Sequence, residues 1–166
     1  MQGNGTPGFA GARLYSSAWV PRIPSRARTI VDASQPDGAP SRDSGPDAHR
    51  LTRVLIVDEG VCSREGLCAL LATVPDVEVV ATAGDGPAAV RLARETHPDV
   101  IVLDARLPLM DGLEATRRIK ACCAWVRVVM LSFCSAYRMA AAAAGADAFL
   151  VKGGPVEDLV EAIRAR

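Results

Sequence analysis

Between Arg53 and the end of the chain, short runs of apolar residues alternate with longer stretches whose apolar residues recur at helical spacing. The short runs are typical of buried strands, and the longer stretches are typical of amphipathic helices. The predicted strands are residues 54–57, 77–82, 100–103, 126–131 and 148–151. The predicted helices are residues 63–74, 87–96, 113–120, 140–144 and a last one whose apolar face comprises Val156, Leu159, Val160 and Ile163.

Strands that alternate with helices predict βαβ crossovers, and therefore a parallel sheet that is covered by helices on both faces. For five strands the expected order is 2-1-3-4-5, the flavodoxin-like, doubly wound α/β arrangement. Pro87 suits the first residue of the second helix, and Gly145 suits the residue that ends the fourth. Ligands bind such sheets at the carboxyl ends of the first and third strands, which predicts where functional residues gather.

The first part of the chain does not follow this pattern. Residues 1–50 hold 6 of the 11 prolines and 6 of the 14 glycines, and their apolar residues have no steady period. Such a composition buries too little surface to offset the entropy of ordering the chain. Residues 1–50 are therefore predicted to be a disordered leader, and residues 51–166 are predicted to form one domain.

The composition argues against several classes of protein. Basic and acidic residues balance at 19 each, so there is no electrostatic footprint for nucleic acid or an anionic membrane. The apolar runs are too short to span a bilayer. The five cysteines are odd in number and form no CxxC motif, which favours a reduced, cytoplasmic protein over a disulfide framework. Aromatic residues make up only 4% of the chain, so the core must be aliphatic.

Three carboxylates fall at the predicted ligand-binding edge. Asp58 and Glu59 follow the first strand, and Asp104 follows the third. Converging carboxylates repel one another unless a cation lies among them, and their hard oxygen atoms suit Mg²⁺. Lys152 ends the fifth strand and Ser132 ends the fourth, so an ammonium and a hydroxyl can reach the same edge. A carboxylate nucleophile, a metal and stabilising positive charge are the groups that phosphoryl transfer requires.

All of these residues except Ser132 lie in segments that resemble a known family, and the resemblance covers about residues 52–166. The segments are VLIVDEG at 54–60, REGL at 64–67, AGDG at 83–86, PDVIVLDARLPLMDGLEATRRI at 98–119 and AGADAFLVK at 144–152. They are similar to the receiver domains of bacterial two-component response regulators, above all to those of the LuxR/NarL type. The set as a whole is specific, although no single member of it is.

The resemblance implies that Asp104 accepts a phosphoryl group from a histidine kinase or a phosphotransfer protein. The implied ligands of Mg²⁺ are Asp58, Glu59, Asp104 and the backbone carbonyl of Arg106. Lys152 and Ser132 are expected to stabilise the phosphoryl group, and Phe149 is expected to be an aromatic switch. The implied function is phosphorelay signalling through a conformational change, and not enzymatic turnover.

The resemblance also implies how the signal leaves the domain. The expected output surface is the face formed by the fourth helix, the fifth strand and the fifth helix, and a homodimer through this face is possible in this family. Only 14 residues follow Lys152, which is room for a fifth helix. The helix-turn-helix output domain of the LuxR/NarL type is therefore expected to be absent, and no direct DNA-binding element is expected.

Three features depart from the family pattern. The segment from Ser132 to Lys152 is shorter than usual, which predicts a trimmed loop after the fourth strand. Phe133 stands where a small residue is common, and its ring is expected to restrict access to the phosphoryl group. Gly153 replaces a proline that often follows the lysine, so a cis peptide cannot be assumed there.

Three other functions have some support in the sequence. Residues 84–89 fit the dinucleotide-binding pattern G-x-G-x-x-A, but Asp85 would place a negative charge beside a pyrophosphate. A haloacid-dehalogenase-type phosphatase needs a second acid two residues after its nucleophile, where this chain has Arg106. The shortened loop after the fourth strand and the bulk of Phe133 leave open a receiver-like interaction module that does not accept phosphate.

Overall fold

The computed structural model describes residues 50–165, which form a five-stranded parallel sheet with a helix after each strand. The strands are β1 (Thr52–Val57), β2 (Val77–Ala83), β3 (Val100–Asp104), β4 (Arg127–Ser132) and β5 (Ala148–Val151). The helices are α1 (Val61–Leu71), α2 (Gly86–Thr96), α3 (Gly112–Cys122), α4 (Tyr137–Ala144) and α5 (Val156–Arg164). The strand order is β2-β1-β3-β4-β5, which confirms the predicted doubly wound α/β topology.

Two aliphatic cores lie on the two faces of the sheet. Helices α2, α3 and α4 cover one face, where they pack on strand residues such as Leu55, Ile101 and Met130. Helices α1 and α5 cover the other face, where they pack on residues such as Ile56 and Val102. Because successive side chains of a strand point to opposite faces, each central strand contributes to both cores. Strand β3 is accordingly buried at every position.

Helix α1 begins two residues earlier and ends three residues earlier than the sequence predicts. At its carboxyl end, the amide of Thr73 donates to the carbonyl of Leu70 at 3.0 Å, and the Thr73 hydroxyl donates to the same carbonyl at 2.7 Å. These bonds span three residues and tighten the chain into a turn. Pro75 then prevents the helix from continuing, because it has no amide hydrogen and disfavours helical backbone before it.

Short side chains and a glycine fix the ends of three other helices. Asp85 caps α2 by accepting from the amide of Ala88 at 2.7 Å, and Asp111 caps α3 by accepting from the amide of Glu114 at 2.8 Å. Gly145 ends α4 with φ of 95°, the left-handed conformation that glycine adopts most readily. The predicted role of Gly145 is confirmed.

The G-x-G pair of the dinucleotide pattern faces protein atoms. A side chain at Gly84 would meet the guanidinium of Arg64 at 3.3 Å. A side chain at Gly86 would overlap the backbone carbonyl of Met110. Asp85, between them, serves as the helix cap. These two glycines therefore allow the close packing of neighbouring segments, and the pattern gives no support to a pyrophosphate site.

The predicted disordered leader, residues 1–50, lies outside the described residues except for Arg50. The guanidinium of Arg50 donates to the carboxylate of Asp99 at 2.8 Å. Within residues 50–165, no helix is both long enough and apolar enough to cross a membrane.

Gly112 is a point at which the fold leaves no room for a side chain. Its amide donates to the carbonyl of Ala105 at 2.9 Å, so α3 begins directly against the end of β3. A Cβ atom there would overlap the Asp104 carbonyl and lie 2.8 Å from the Cα of Ala105. We expect Gly112→Ala to lower the free energy of unfolding by about 1–3 kcal/mol, as measured by urea denaturation.

Gly66 provides the matched control for this substitution. It lies inside α1, and nothing is within 4 Å of the position that its Cβ would take. We expect Gly66→Ala to raise the free energy of unfolding by about 0.5–1 kcal/mol, because alanine loses less backbone entropy in a helix. Equal effects of the two substitutions would contradict the close approach at Gly112.

Candidate functional site

Four of the predicted site residues meet at the carboxyl edge of the sheet. Asp58 follows β1, Asp104 ends β3, Ser132 ends β4 and Lys152 follows β5. The parallel register places Asp104 beside Leu131, so that the ends of β3 and β4 are adjacent. Parallel pairing alone therefore brings these four polar residues together, although as many as 94 positions separate them along the chain.

The ammonium of Lys152 bridges two carboxylates. Its Nζ lies 2.6 Å from Oδ2 of Asp58 and 2.6 Å from Oδ2 of Asp104. The exposed fractions of the three side chains are 12% for Lys152, 4% for Asp58 and 10% for Asp104. Charge-assisted hydrogen bonds in such a water-poor site are stronger than neutral ones. Lys152 thus holds the ends of β1 and β3 in one arrangement.

Backbone and hydroxyl groups complete the hydrogen bonding of the two carboxylates. Oδ1 of Asp58 accepts from the amide of Gly60 at 2.8 Å, and Oδ2 accepts from the hydroxyl of Ser63 at 2.7 Å. Oδ1 of Asp104 accepts from the amide of Arg106 at 3.0 Å. These bonds fix the direction in which each carboxylate faces, which is a requirement for a nucleophile or a metal ligand.

Burial and hydrogen bonding shift the pKa values of Asp58 and Lys152 in opposite directions. Burial favours a higher pKa for Asp58, but the hydrogen bonds from Lys152, Ser63 and Gly60 outweigh it and hold the pKa below its ordinary 3.8. Burial likewise favours a lower pKa for Lys152, but Asp104 and Asp58 outweigh it and raise the pKa above its ordinary 10.5. Both groups are therefore charged at neutral pH.

Glu59 and Arg106 lie at the rim of the site. The side chain of Glu59 is exposed next to Asp58, and that of Arg106 is exposed beyond Asp104. Within residues 50–165, no three His, Cys, Asp or Glu side chains are close enough to form a metal cluster. The structure thus brings two of the three predicted carboxylates together, and their partner is the Lys152 ammonium.

Ser132, the last residue of β4, and Phe133, which follows it, form another part of the site. Ser132 is 2% exposed, and its hydroxyl oxygen accepts from the amide of Cys134 at 3.2 Å. Phe133 is 71% exposed, and the Nζ of Lys152 lies 5.3 Å from the centre of its ring. The ring therefore covers the lysine from the solvent side, and a cation–π contact stabilises it there.

Phe149 lies in the core beside this site. It is buried in β5, and the guanidinium of Arg138 lies over its ring at 5.0 Å from the centre. Arg138 also donates to the carbonyl of Phe149 at 3.4 Å. Since Arg138 belongs to α4, these contacts join α4 to β5 close to Lys152.

Sequence analysis did not assign roles to Ser63 and Arg64, although both lie at the site. Ser63 is in the first turn of α1, and Arg64 donates from Nη1 to the carbonyls of Asp58 and Glu59 at 2.6 and 3.1 Å. The signal that could have identified them is a serine and an arginine in the first turn of the helix that follows a strand-end acid. Arg64 holds the loop that positions Asp58.

Comparison with known proteins identifies the same segment. The family described as response regulator receiver domain matches residues 54–164. The chain is 34% identical to the response regulator GacA of Pseudomonas aeruginosa over 116 residues, which are 69% of this chain and 54% of GacA. This chain therefore spans about half the length of the curated relatives that it matches.

Two solved structures are similar in fold and sequence. The signal receiver domain of the putative response regulator NarL from Mycobacterium tuberculosis superposes with a TM-score of 0.65 at 31% identity, covering 70% of this chain and 99% of that one. A chain of the CheX–CheY–BeF₃–Mg complex from Borrelia burgdorferi superposes with a TM-score of 0.62 at 26% identity, covering 67% of this chain and 85% of that one.

The pKa of Asp58 makes stability depend on pH. The pKa of Asp58 is lower in the folded chain than in the unfolded chain, so the ionised carboxylate stabilises the fold. This stabilisation is complete above pH 3.8, and it is lost as the pH falls through the pKa of Asp58 in the folded chain. We expect the free energy of unfolding of the unmodified chain to fall, relative to that of Asp58→Asn, between about pH 5 and about pH 2. Urea denaturation with a metal chelator present measures both proteins.

Lys152→Met tests the cause of this dependence. Without the ammonium, the largest favourable hydrogen bond to Asp58 is missing. In the Lys152→Met background, the difference in free energy of unfolding between Asp58 and Asp58→Asn should therefore change less with pH. If this difference changes with pH as much in Lys152→Met as in the unmodified background, Asp58 gains nothing from Lys152.

Proposed function

The chain belongs to the response regulator receiver domain family, and we propose that its Asp104 accepts a phosphoryl group from a histidine kinase or a phosphotransfer protein. The observation that carries this proposal is the Lys152 ammonium between Asp58 and Asp104. It places a buried, oriented carboxylate beside a positive charge at the ligand-binding edge of the sheet. Its relatives include regulators of the LuxR and NarL type.

In the proposed reaction, a carboxylate oxygen of Asp104 attacks the phosphorus atom of a phosphohistidine. The new oxygen–phosphorus bond forms as the nitrogen–phosphorus bond of the donor breaks. Lys152 then exchanges its contact with Asp104 for one with a phosphoryl oxygen. Ser132 contributes its hydroxyl hydrogen to a second phosphoryl oxygen, because its own oxygen already accepts from the backbone.

The oxygen donors at this edge fit Mg²⁺. Asp58, Glu59 and Asp104 carry three negative charges against the one positive charge of Lys152, so the group has an excess of two negative charges. A divalent ion that prefers carboxylate and carbonyl oxygen matches this excess. We propose Asp58, Glu59, Asp104 and the carbonyl of Arg106 as its ligands. When bound, Mg²⁺ would neutralise charge on the phosphoryl oxygens.

We propose that the signal passes through Ser132 and Phe149 to the face formed by α4, β5 and α5. A phosphoryl group on Asp104 draws Ser132 toward it and changes the packing of Phe149. Because Arg138 contacts both the ring and the backbone of Phe149, a change at this residue reaches α4 directly. The phosphoryl group therefore shifts the population between two conformers of this face.

The α4, β5 and α5 face also carries exposed apolar residues, which fit a partner surface. Met139 of α4 is 79% exposed, and Val151 of β5 and Val156 of α5 are also exposed. We propose this face for a homodimer or for a downstream protein. All five cysteines are free thiols among the described residues, and we propose the cytoplasm as the location of the protein.

The first experiment is phosphorylation of the full chain by acetyl phosphate with Mg²⁺. We expect an alkali-labile adduct of one phosphoryl group in the intact mass of the unmodified protein, and none in Asp104→Asn. Glu78→Gln is the matched control, because its side chain is exposed on β2 and it should be phosphorylated normally. Lys152→Met should reduce the rate by at least about tenfold, through loss of charge stabilisation.

The same experiment separates the proposed function from its main alternative. If the folded protein gives no adduct with Mg²⁺ in excess, the chain is a receiver-like interaction module that does not accept phosphate. If Asp104→Asn is phosphorylated as well as the unmodified protein, another residue is the acceptor and the assignment of Asp104 is wrong.

Beryllofluoride tests how the signal travels. We expect this phosphoryl analogue, added with Mg²⁺, to shift NMR signals of Phe149 and α4, and to increase the dimer fraction in sedimentation. Ser132→Ala should weaken beryllofluoride binding about tenfold, because a hydrogen bond to a charged group is lost. Signals of Phe149 and α4 that do not move in the saturated protein would rule out the proposed route.

A further inference from the structure

A pair of neighbouring thiols lies at the end of α3, away from the proposed phosphorylation site. Cys122 is the last residue of α3, and Cys123 follows it with φ of −138° and ψ of 61°. This departure from helical backbone turns the second side chain toward the first. The two Sγ atoms are therefore only 3.5 Å apart, although adjacent residues of a helix do not face each other.

The two thiols differ in their surroundings. Cys123 is 1% exposed and belongs to the core beneath α2, α3 and α4, whereas Cys122 is half-buried at the edge of that core. Burial and the neighbouring Cys122 raise the pKa of Cys123 to about 11. Partial burial acts to raise the pKa of Cys122 as well, but Arg94 and Cys123 outweigh it and lower the pKa.

Arg94 provides a cation next to the more accessible thiol. It lies in the last turn of α2, which packs beside α3 on the same face of the sheet, and its guanidinium stabilises the charged form of Cys122. A thiol that is partly accessible and lies next to an arginine is the kind that reacts with oxidants. Cys62 and Cys134 are free thiols as well, and both are exposed.

We propose that Cys122 and Cys123 form a peroxide-sensitive pair, in which Cys122 is oxidised first and Cys123 then closes a disulfide. The Cys122 thiolate attacks one oxygen of the peroxide, the O–O bond breaks, and hydroxide leaves and combines with the proton that the Cys122 thiol had released, which gives water. This step oxidises the sulfur to a sulfenic acid. The sulfur of Cys123 attacks it, the S–S bond forms, and the sulfenic oxygen leaves as water with the proton of the Cys123 thiol.

The product is a disulfide that cellular thiols can reduce. Consecutive Cα atoms are about 3.8 Å apart, which is less than the separation that unstrained disulfides require. A strained disulfide is reduced easily, so the pair can return to its thiol form in a reducing compartment. Closing it also disturbs the turn after α3, where Cys123 donates to Ile119 at 2.7 Å and accepts from Val126 at 3.0 Å.

The chain allows this proposal to be tested within one short peptide. Trypsin cleaves after Lys120 and Arg127, so residues 121–127 carry both thiols of the pair and no other cysteine. The reduced full chain is treated with a small excess of hydrogen peroxide, its remaining thiols are alkylated, and the digest is analysed by mass spectrometry. We expect the unalkylated disulfide form of peptide 121–127 to accumulate first, and to disappear after dithiothreitol.

Variants separate the two roles. In Cys123→Ser, Cys122 should remain a sulfenic acid that dimedone labels, whereas Cys122→Ser should give neither product. Arg94→Gln should slow the oxidation of Cys122 about threefold to tenfold, since the thiolate fraction falls. Arg91→Gln is the matched control, because Arg91 is exposed on the same helix and pairs with Glu95.

Three results would overturn the proposal, provided that circular dichroism shows each variant to be folded. One is that peptide 121–127 stays doubly alkylated while Cys62 or Cys134 is oxidised. Another is that dimedone labels no residue in Cys123→Ser. The third is that Arg94→Gln and Arg91→Gln are oxidised at the same rate as the unmodified chain.

Discussion

The ammonium of Lys152, held between the carboxylates of Asp58 and Asp104, constrains the architecture of this edge of the molecule. Neighbouring strands lie about 4.8 Å apart, so about 10 Å separates the ends of β3 and β5. A lysine side chain can bridge much of this distance only if the residue between the two strands is small. Ser132, a small residue, occupies that position at the end of β4, where it pairs with Val151. The strand order and the identities of Asp104, Ser132 and Lys152 therefore depend on one another.

This charged group contributes more to geometry than to stability. Removing two carboxylates and an ammonium from water costs several kcal/mol for each ion, and their attraction only offsets that cost. A well-packed aliphatic cluster of the same volume would stabilise a fold at least as well. Among the described residues, no buried side-chain nitrogen or oxygen lacks a hydrogen-bond partner, so the hydrogen bonding of the site is satisfied. Such a site gives a carboxylate a fixed direction and a positive neighbour.

The sequence predicted the fold almost completely, because its apolar runs are short and each is followed by a helical pattern. It also placed Asp58, Asp104, Ser132 and Lys152 at one edge, since parallel strands allow no other position for residues at their carboxyl ends. The bridge by Lys152 could not be predicted, because it depends on side-chain direction and on distances across three strands. The contacts of Ser63 and Arg64 were missed for the same reason. The three-residue shortening of α1 depends on a local turn before Pro75 that a periodic pattern does not detect.

Strand β5 carries the lysine, and it is one of the two edge strands of the sheet. It has four residues, it pairs with β4 alone, and two of its residues are only partly buried. Short edge strands open locally at a much lower free energy than central strands such as β3. Each such opening carries Lys152 away from both carboxylates at once, leaving two like charges facing each other. The charged group can therefore come apart through the local opening of one short strand, without global unfolding of the domain.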